Sequence, residues 1–243
     1  MIQRLYKKDF SPYLQKDMEM LIFGHAGIPV IFFPTRTAKF YDYEDWKVID
    51  GVADKLENGE MQIFCLDSAD KLSFYDKKLH PSQRIRKHLL FEKYVLFEVI
   101  PLINTMNSNP NMTLAGCSLG AWHALNMGFR HPTLFTKVVA MSGRYDLTMQ
   151  LPYFEDLLEG YRDEEIYYNM PSQYVPNIHG DRMLKLLRTL DITIVIGAED
   201  AFLENNTALS DALNAKKIPH KFFIWDGEAH RGIIWKDMIR LYF

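Results

Sequence analysis

Gly116-Cys117-Ser118-Leu119-Gly120 puts one serine between two glycines, where an apolar run, Met112 to Ala115, gives way to a helical one, Leu119 to Phe129. A serine on a sharp strand-to-helix turn lifts its hydroxyl above the sheet. Strand and helix pass close together there, and small residues two before and two after the serine relieve the crowding. A hydroxyl is a poor nucleophile at neutral pH, so it needs a base, and the base needs an acid to orient it. The chemistry this points to is attack on an acyl carbonyl.

Partners for such a serine follow it in the order acid, then histidine. After the apolar run Ile192 to Ile196 comes Gly197-Ala198-Glu199-Asp200, and after Lys221 to Trp225 comes Asp226-Gly227-Glu228-Ala229-His230. Both place polar residues just beyond the carboxyl end of a strand. His230 is therefore assigned as base and Asp200 as its partner, with Glu199 as the alternative acid. Taken singly, Asp200 also fits a cap for the helix beginning near Phe202, and a loop histidine is commonly plain surface. The three together, each after a core strand and in the required order, favour the catalytic reading.

Acyl transfer also needs donors for the developing oxyanion. One is the backbone N–H of Leu119. The other belongs to the loop after Pro29 to Phe33, Pro34-Thr35-Arg36-Thr37. Pro34 has no N–H. Arg36 is favoured, with Thr35 and Thr37 as rivals, and its side chain either faces substrate or lies on the surface.

These loops need a scaffold. Met18–Phe23, Pro29–Phe33, Met61–Leu66, Met112–Ala115, Lys137–Met141, Ile192–Ile196 and Lys221–Trp225 read as strands. Tyr43–Leu56, Pro81–Met106, Leu119–Phe129, Leu203–Ala215 and Arg231–Leu241 read as helices, with Pro101 expected to kink or end the second. Apolar strands alternating with helices imply an α/β fold with a mostly parallel sheet covered on both faces. The first strands, joined by a tight turn at His25-Ala26-Gly27, are expected to add an antiparallel edge. Residues 144–190 break the alternation and carry seven tyrosine and phenylalanine positions from Tyr145 to Tyr174. This reads as an insertion at a strand's carboxyl end, a lid or pocket wall, or else a packed loop. The whole of 1–243 reads as one domain.

Composition narrows the class. The chain has 243 residues, 48% of them hydrophobic and 24% charged, which suits a globular fold. A net charge of −3 argues against nucleic acid as the main partner. The basic stretch from Lys77 to Lys93 reads as a solvated helix face. Two cysteines, Cys65 and Cys117, make no disulfide framework. Cys117 is expected to point into the core, opposite to its neighbour. No apolar run approaches the roughly 18 residues that cross a bilayer, so the expectation is a cytoplasmic protein with no membrane partner. His123 and His131 lack the H-E-x-x-H context of a zinc site and read as structural, so no metal is expected. Trp122 and Trp235 read as packing residues. Neither a phosphate loop nor a dinucleotide fingerprint is present.

GCSLGAWHALNMGFRHPTLF, VIGAEDAFLENN and WDGEAHRGIIW resemble the corresponding segments of an esterase family that includes esterase D-like enzymes, feruloyl esterases and mycolyltransferases. DMEMLIFGHAGIPVIFFPT, FYDYED and IYYNMPSQYVPNI resemble a smaller bacterial subgroup of it. The resemblance implies the α/β-hydrolase fold, no cofactor, a small-molecule ester substrate and the triad Ser118, Asp200 and His230. Relatives carry His-Gly or Asp-Gly where this chain has Pro34-Thr35, and P-G-G-H where it has Gly227-Glu228-Ala229-His230. The expected activity is carboxylic ester hydrolysis through an acyl-enzyme. Acyl transfer by the same triad, or a non-catalytic binding protein on the same fold, are the alternatives.

Overall fold

The computed structural model describes residues 1–243. Its strands are β1 (Arg4–Ser11), β2 (Lys16–Phe23), β3 (Ile28–Phe33), β4 (Met61–Leu66), β5 (Thr113–Cys117), β6 (Lys137–Met141), β7 (Asp191–Gly197) and β8 (Lys221–Trp225). They form one sheet in the order β1-β2-β4-β3-β5-β6-β7-β8. Pairing is parallel from β4 to β8 and antiparallel at β1·β2 and β2·β4. This is the α/β architecture expected, with one correction at its edge. The tight turn between β2 and β3 does not join neighbours, because β4 lies between them. The antiparallel edge is built instead by β2 with β1. Strand β1 escapes a reading by apolar runs because it lies at the exposed rim, where Lys7, Lys8 and Asp9 interrupt its apolar residues and discourage pairing with another chain.

Inner strands are apolar at nearly every position because both faces are covered. Val30 and Phe32 pack with Cys65, Ala115 and Cys117 on one face, and Ile31 and Phe33 with Phe64 and Leu114 on the other. Parallel pairing brings the carboxyl ends of β3, β5, β6, β7 and β8 to one side of the sheet. The loops that begin at Pro34, Ser118, Ser142, Ala198 and Asp226 therefore collect there.

Two helical readings change in detail. The stretch expected as one helix over 43–56 is three short pieces, Asp42–Asp45, Ile49–Val52 and Ala53–Glu57, broken where Lys47 takes φ 61°. The break lets Tyr43, Val48, Ile49, Val52 and Leu56 all reach the core. Pro81–Tyr94 continues through a π-helical turn, Val95–Val99, into Ile100–Met106. The helix thus passes Pro101. The wide turn just before it absorbs the missing N–H and the ring's bulk. Between β6 and β7 there is no further strand of the sheet. Short helices Glu164–Tyr167, Pro171–Tyr174 and Asp181–Leu187 lie there instead.

One buried group has a stability consequence. His88 is 3% exposed, packed against Phe74, Trp122 and His123, and neither ring nitrogen has a hydrogen-bond partner. Burial, with a smaller push from His123, drives its pKa down from 6.5 to about 3. The unfolded chain therefore binds a proton that the folded one refuses, and stability falls as pH drops through 6.5 toward 3. Between pH 7.5 and pH 5 this one group removes about 2 kcal/mol. Replacing it by leucine forfeits no hydrogen bond. Urea denaturation of His88→Leu at the two pH values is expected to show a pH-dependent loss about 2 kcal/mol smaller than that of the unmodified protein. An equal loss in both would show that His88 is not the group responsible.

Candidate active site

Ser118 stands between β5 and the helix Leu119–Arg130 at φ 56° and ψ −121°, a conformation that side chains other than glycine rarely hold. Its N–H donates to Met141 O at 2.9 Å, and its carbonyl accepts from Ala121 at 3.1 Å. A Cβ on Gly116 would collide with the Gly120 carbonyl, and one on Gly120 with the carbonyls of Phe33 and Pro34. The two glycines are thus required by the close approach of β5, β3 and the helix.

The structure brings Ser118, His230 and Asp200 together. Ser118 Oγ and His230 Nε2 are 2.9 Å apart, and His230 Nδ1 and Asp200 Oδ2 are 3.1 Å apart. With the imidazole protonated at Nδ1, the hydroxyl donates to Nε2 while Nδ1–H donates to the carboxylate. The Asp200 side chain is fully buried, and its other oxygen accepts from Phe202 N–H at 3.0 Å. Glu199, the alternative acid, is exposed. Such a relay can remove the serine proton during attack and hold the resulting imidazolium.

The loop after β3 sorts the candidate oxyanion donors. Thr37 N–H is committed to Asp70 Oδ2 at 3.0 Å. The N–H groups of Thr35 and Arg36 make no hydrogen bond within the protein. Thr37 is thereby removed from the rivals to Arg36. Leu119, the other candidate donor, is the first residue of the helix after Ser118.

Several neighbours of the site carry no motif. Tyr43 OH donates to Phe33 O at 2.8 Å and accepts from Cys117 N–H at 3.1 Å, tying the end of β3 to the strand that delivers Ser118. Ser142 Oγ donates to Ala229 O at 3.2 Å and accepts from Trp235 Nε1 at 3.1 Å, holding the histidine loop. Trp235, expected to pack, does so against the His230 ring at 5.4 Å and adds this hydrogen bond. Phe154 and Phe202 flank His230 at 5.9 and 5.8 Å. Asp70 is buried, and its second oxygen meets His123 Nε2 at 3.3 Å. Burial acts to raise the Asp70 pKa, but the His123 and Thr37 bonds outweigh it and hold the carboxyl below its usual value. His123, expected to be structural, thus supports the Arg36 loop. Cys117 faces the core, and burial pushes its thiol pKa up.

An open cleft of about 420 Å³ borders His230, lined by Trp46, Arg231, Gly232, Ile233 and Trp235. A second cavity of about 450 Å³ lies at the far end of the helix Leu119–Arg130, among Phe129, His131 and Tyr174. Twelve helical residues, about 18 Å, separate it from Ser118, so it does not serve this site. No helix is long and apolar enough to cross a membrane.

A family model described as "Putative esterase" matches residues 11–223. Among curated protein sequences, none matches the chain. Solved structures similar to it include a ferulic acid esterase, at 18% identity and TM-score 0.80, covering 100% of this chain and 96% of that one. An S-formylglutathione hydrolase from Agrobacterium tumefaciens aligns at 17% identity and TM-score 0.75, over 98% of this chain and 92% of that one. Another from Staphylococcus aureus aligns at 13% identity and TM-score 0.73, over 99% and 97%. Their common architecture is the α/β-hydrolase fold.

The histidine loop is positioned by close packing. A Cβ on Gly197 would lie 2.6 Å from Gly227 O and 2.7 Å from Ala229 N. Gly197→Ala must push that loop outward, and His230 with it. The expected result is a loss of about 1–3 kcal/mol in thermal unfolding. Labelling of Ser118 by a fluorophosphonate should also slow by about 10–100-fold. Normal labelling would show that the loop tolerates the displacement.

Proposed function

The chain belongs to the esterase family whose model it matches and is a hydrolase of the serine esterase type; from that premise we propose that it cleaves carboxylic esters through an acyl-enzyme on Ser118. The observation that carries this reading is the unbroken relay from Ser118 Oγ through His230 to the buried Asp200.

Ser118 Oγ attacks the carbonyl carbon while His230 Nε2 takes its proton. The oxyanion of the tetrahedral intermediate is bound by the backbone N–H groups of Leu119 and Arg36. Asp200 stabilises the imidazolium and keeps the proton on Nδ1. Collapse breaks the bond to the alcohol oxygen, which receives the proton from Nε2. Water then attacks the acyl-enzyme by the same steps in reverse roles, releasing the acid and restoring Ser118. The His230 side chain is 20% exposed, so water can reach the base for the second half-reaction. The ferulic acid esterase neighbour extends the expectation to esters with an aromatic part, for which Trp46 and Trp235 beside His230 offer flat apolar walls.

Hydrolysis of a p-nitrophenyl ester series, acetate through octanoate, tests this. Activity is expected to disappear in Ser118→Ala together with fluorophosphonate labelling. Asp200→Asn should retain labelling at a reduced rate and lose about 10³–10⁴-fold in kcat, because the imidazole loses its orienting charge. Full activity in Ser118→Ala would exclude the serine mechanism, and unchanged turnover in Asp200→Asn would exclude Asp200 as the acid.

A further inference from the structure

The loop after β3 and the segment after β6 bring two arginines to one aromatic ring beside the candidate nucleophile. The guanidinium carbon of Arg36 lies 5.8 Å from the centroid of Phe154, and that of Arg144 lies 5.9 Å from it. The same Phe154 ring is 5.9 Å from His230. Arg144 also donates its backbone N–H to the Ser118 carbonyl at 3.4 Å, so its chain runs directly past the serine.

Neither guanidinium is in contact with a carboxylate. Arg144 spends Nε and Nη2 on the carbonyls of Asp146, Leu147, Met149 and Glu155, which fixes the guanidinium without cancelling its charge. Its Nη1 has no partner. Arg36 makes no side-chain hydrogen bond or ion pair and is exposed. Four carboxylates lie nearby; Asp146 and Asp156 attract Arg144 from a distance, and the hydrogen bonds of all four go to other groups. Asp70 holds His123 and Thr37. Asp146 accepts from Thr148, and Asp156 from Leu158 and Gly160. Glu155 pairs with Lys77 at 3.2 Å. The Tyr75 phenol lies within electrostatic reach of both arginines, and burial pushes its pKa up to about 12. It therefore remains a neutral O–H donor at pH 7. Arg144 is 3% exposed. Burying a cation without an ion-pair partner is costly, and a second unpaired cation nearby adds repulsion. An anion arriving with the substrate would relieve both.

We propose that Arg36 and Arg144 form a subsite for an anionic group, so that the preferred substrates are esters carrying a carboxylate or similar anion in their acyl or alcohol part. This rests on the serine esterase reading of the same site. Arg36 supplies the mobile contact and Arg144 the fixed one, with Phe154 forming the apolar floor between the anion and His230.

Two matched pairs of esters test the inference and separate the two positions of the anion. Mono-p-nitrophenyl adipate against p-nitrophenyl heptanoate probes the acyl side. The acetate of 4-hydroxyphenylacetic acid against the acetate of its amide probes the alcohol side. In the unmodified protein, kcat/KM is expected to favour the anionic member of one pair by about tenfold or more. That ratio should fall as ionic strength rises. Arg36→Gln should bring the ratio close to one, and Arg36→Lys should keep part of it. The ratio, not the absolute rate, is the readout, because the Arg36 backbone also serves the oxyanion. Turnover of the neutral esters with no anionic preference in either pair overturns the subsite and leaves the esterase reading intact. No turnover of any of the four, with no fluorophosphonate labelling of Ser118, overturns both. A preference that survives undiminished in Arg36→Gln assigns the anion to other residues and overturns the proposal as stated.

Discussion

At Ser118 three backbone segments meet within less space than ordinary side chains would allow. β5 delivers the serine, the helix Leu119–Arg130 leaves from it, and the end of β3 passes close enough that Gly120 cannot carry a Cβ. The serine's positive φ costs on the order of 1–3 kcal/mol and persists only because the surroundings hold it. Those surroundings are specific. The Met141 carbonyl fixes the Ser118 N–H, and the Tyr43 hydroxyl bonds both the Phe33 carbonyl and the Cys117 N–H. The same crowding that strains the serine brings the loop after β3 beside it. One constraint therefore turns the hydroxyl toward His230 and also sets the distance to the groups that would bind the developing oxyanion.

The remaining members of the relay come from loops far away in sequence, and their placement depends on small buried contacts. Asp200 is held by Phe202 N–H on one oxygen and His230 on the other. The histidine loop is held by Ser142 and by the lack of a side chain at Gly197. The start of the segment after β6 is held by Asn205, whose side-chain oxygen accepts from Tyr145 N–H and Asp146 N–H at 2.6 and 3.1 Å. Asn206 adds a bond to the Gly143 carbonyl at 2.7 Å. Parallel strands bring these loops to one side of the sheet, and the polar contacts set the final geometry.

Much of this was legible in the sequence because the strands are covered on both faces. Runs such as PVIFF and ITIVI stand out, and polar residues immediately beyond them draw attention to Ser118, Asp200 and His230. What was not legible lacked a period or a run. β1 alternates irregularly at an exposed rim, so its composition reads as surface. The pairing of β2 with β4 rather than β3 is decided by sheet order, which a local turn does not encode. Tyr43 and Ser142 act through single hydrogen bonds to backbone, and Asp70 and His123 meet across 53 positions of chain. Their residue types are common, and only the folded distances distinguish them from ordinary core or surface.

The segment after β6 shows why patterning failed there. From Tyr145 to Met170 it buries Tyr145, Leu147, Leu157, Leu158, Ile166 and Met170 against the main core, without a regular element long enough to give a period. Phe154 emerges from this anchored stretch to meet His230, and Arg144 leads into it. A hinged lid would have to withdraw those six side chains from the core at about 1.5–3 kcal/mol each. That sum exceeds what a substrate's binding would ordinarily return. The segment is therefore anchored to the core along its length, which disfavours its swinging away as a unit. Phe154, which meets the His230 ring, and Arg144, bonded to four carbonyls of the segment, owe their positions to that anchoring.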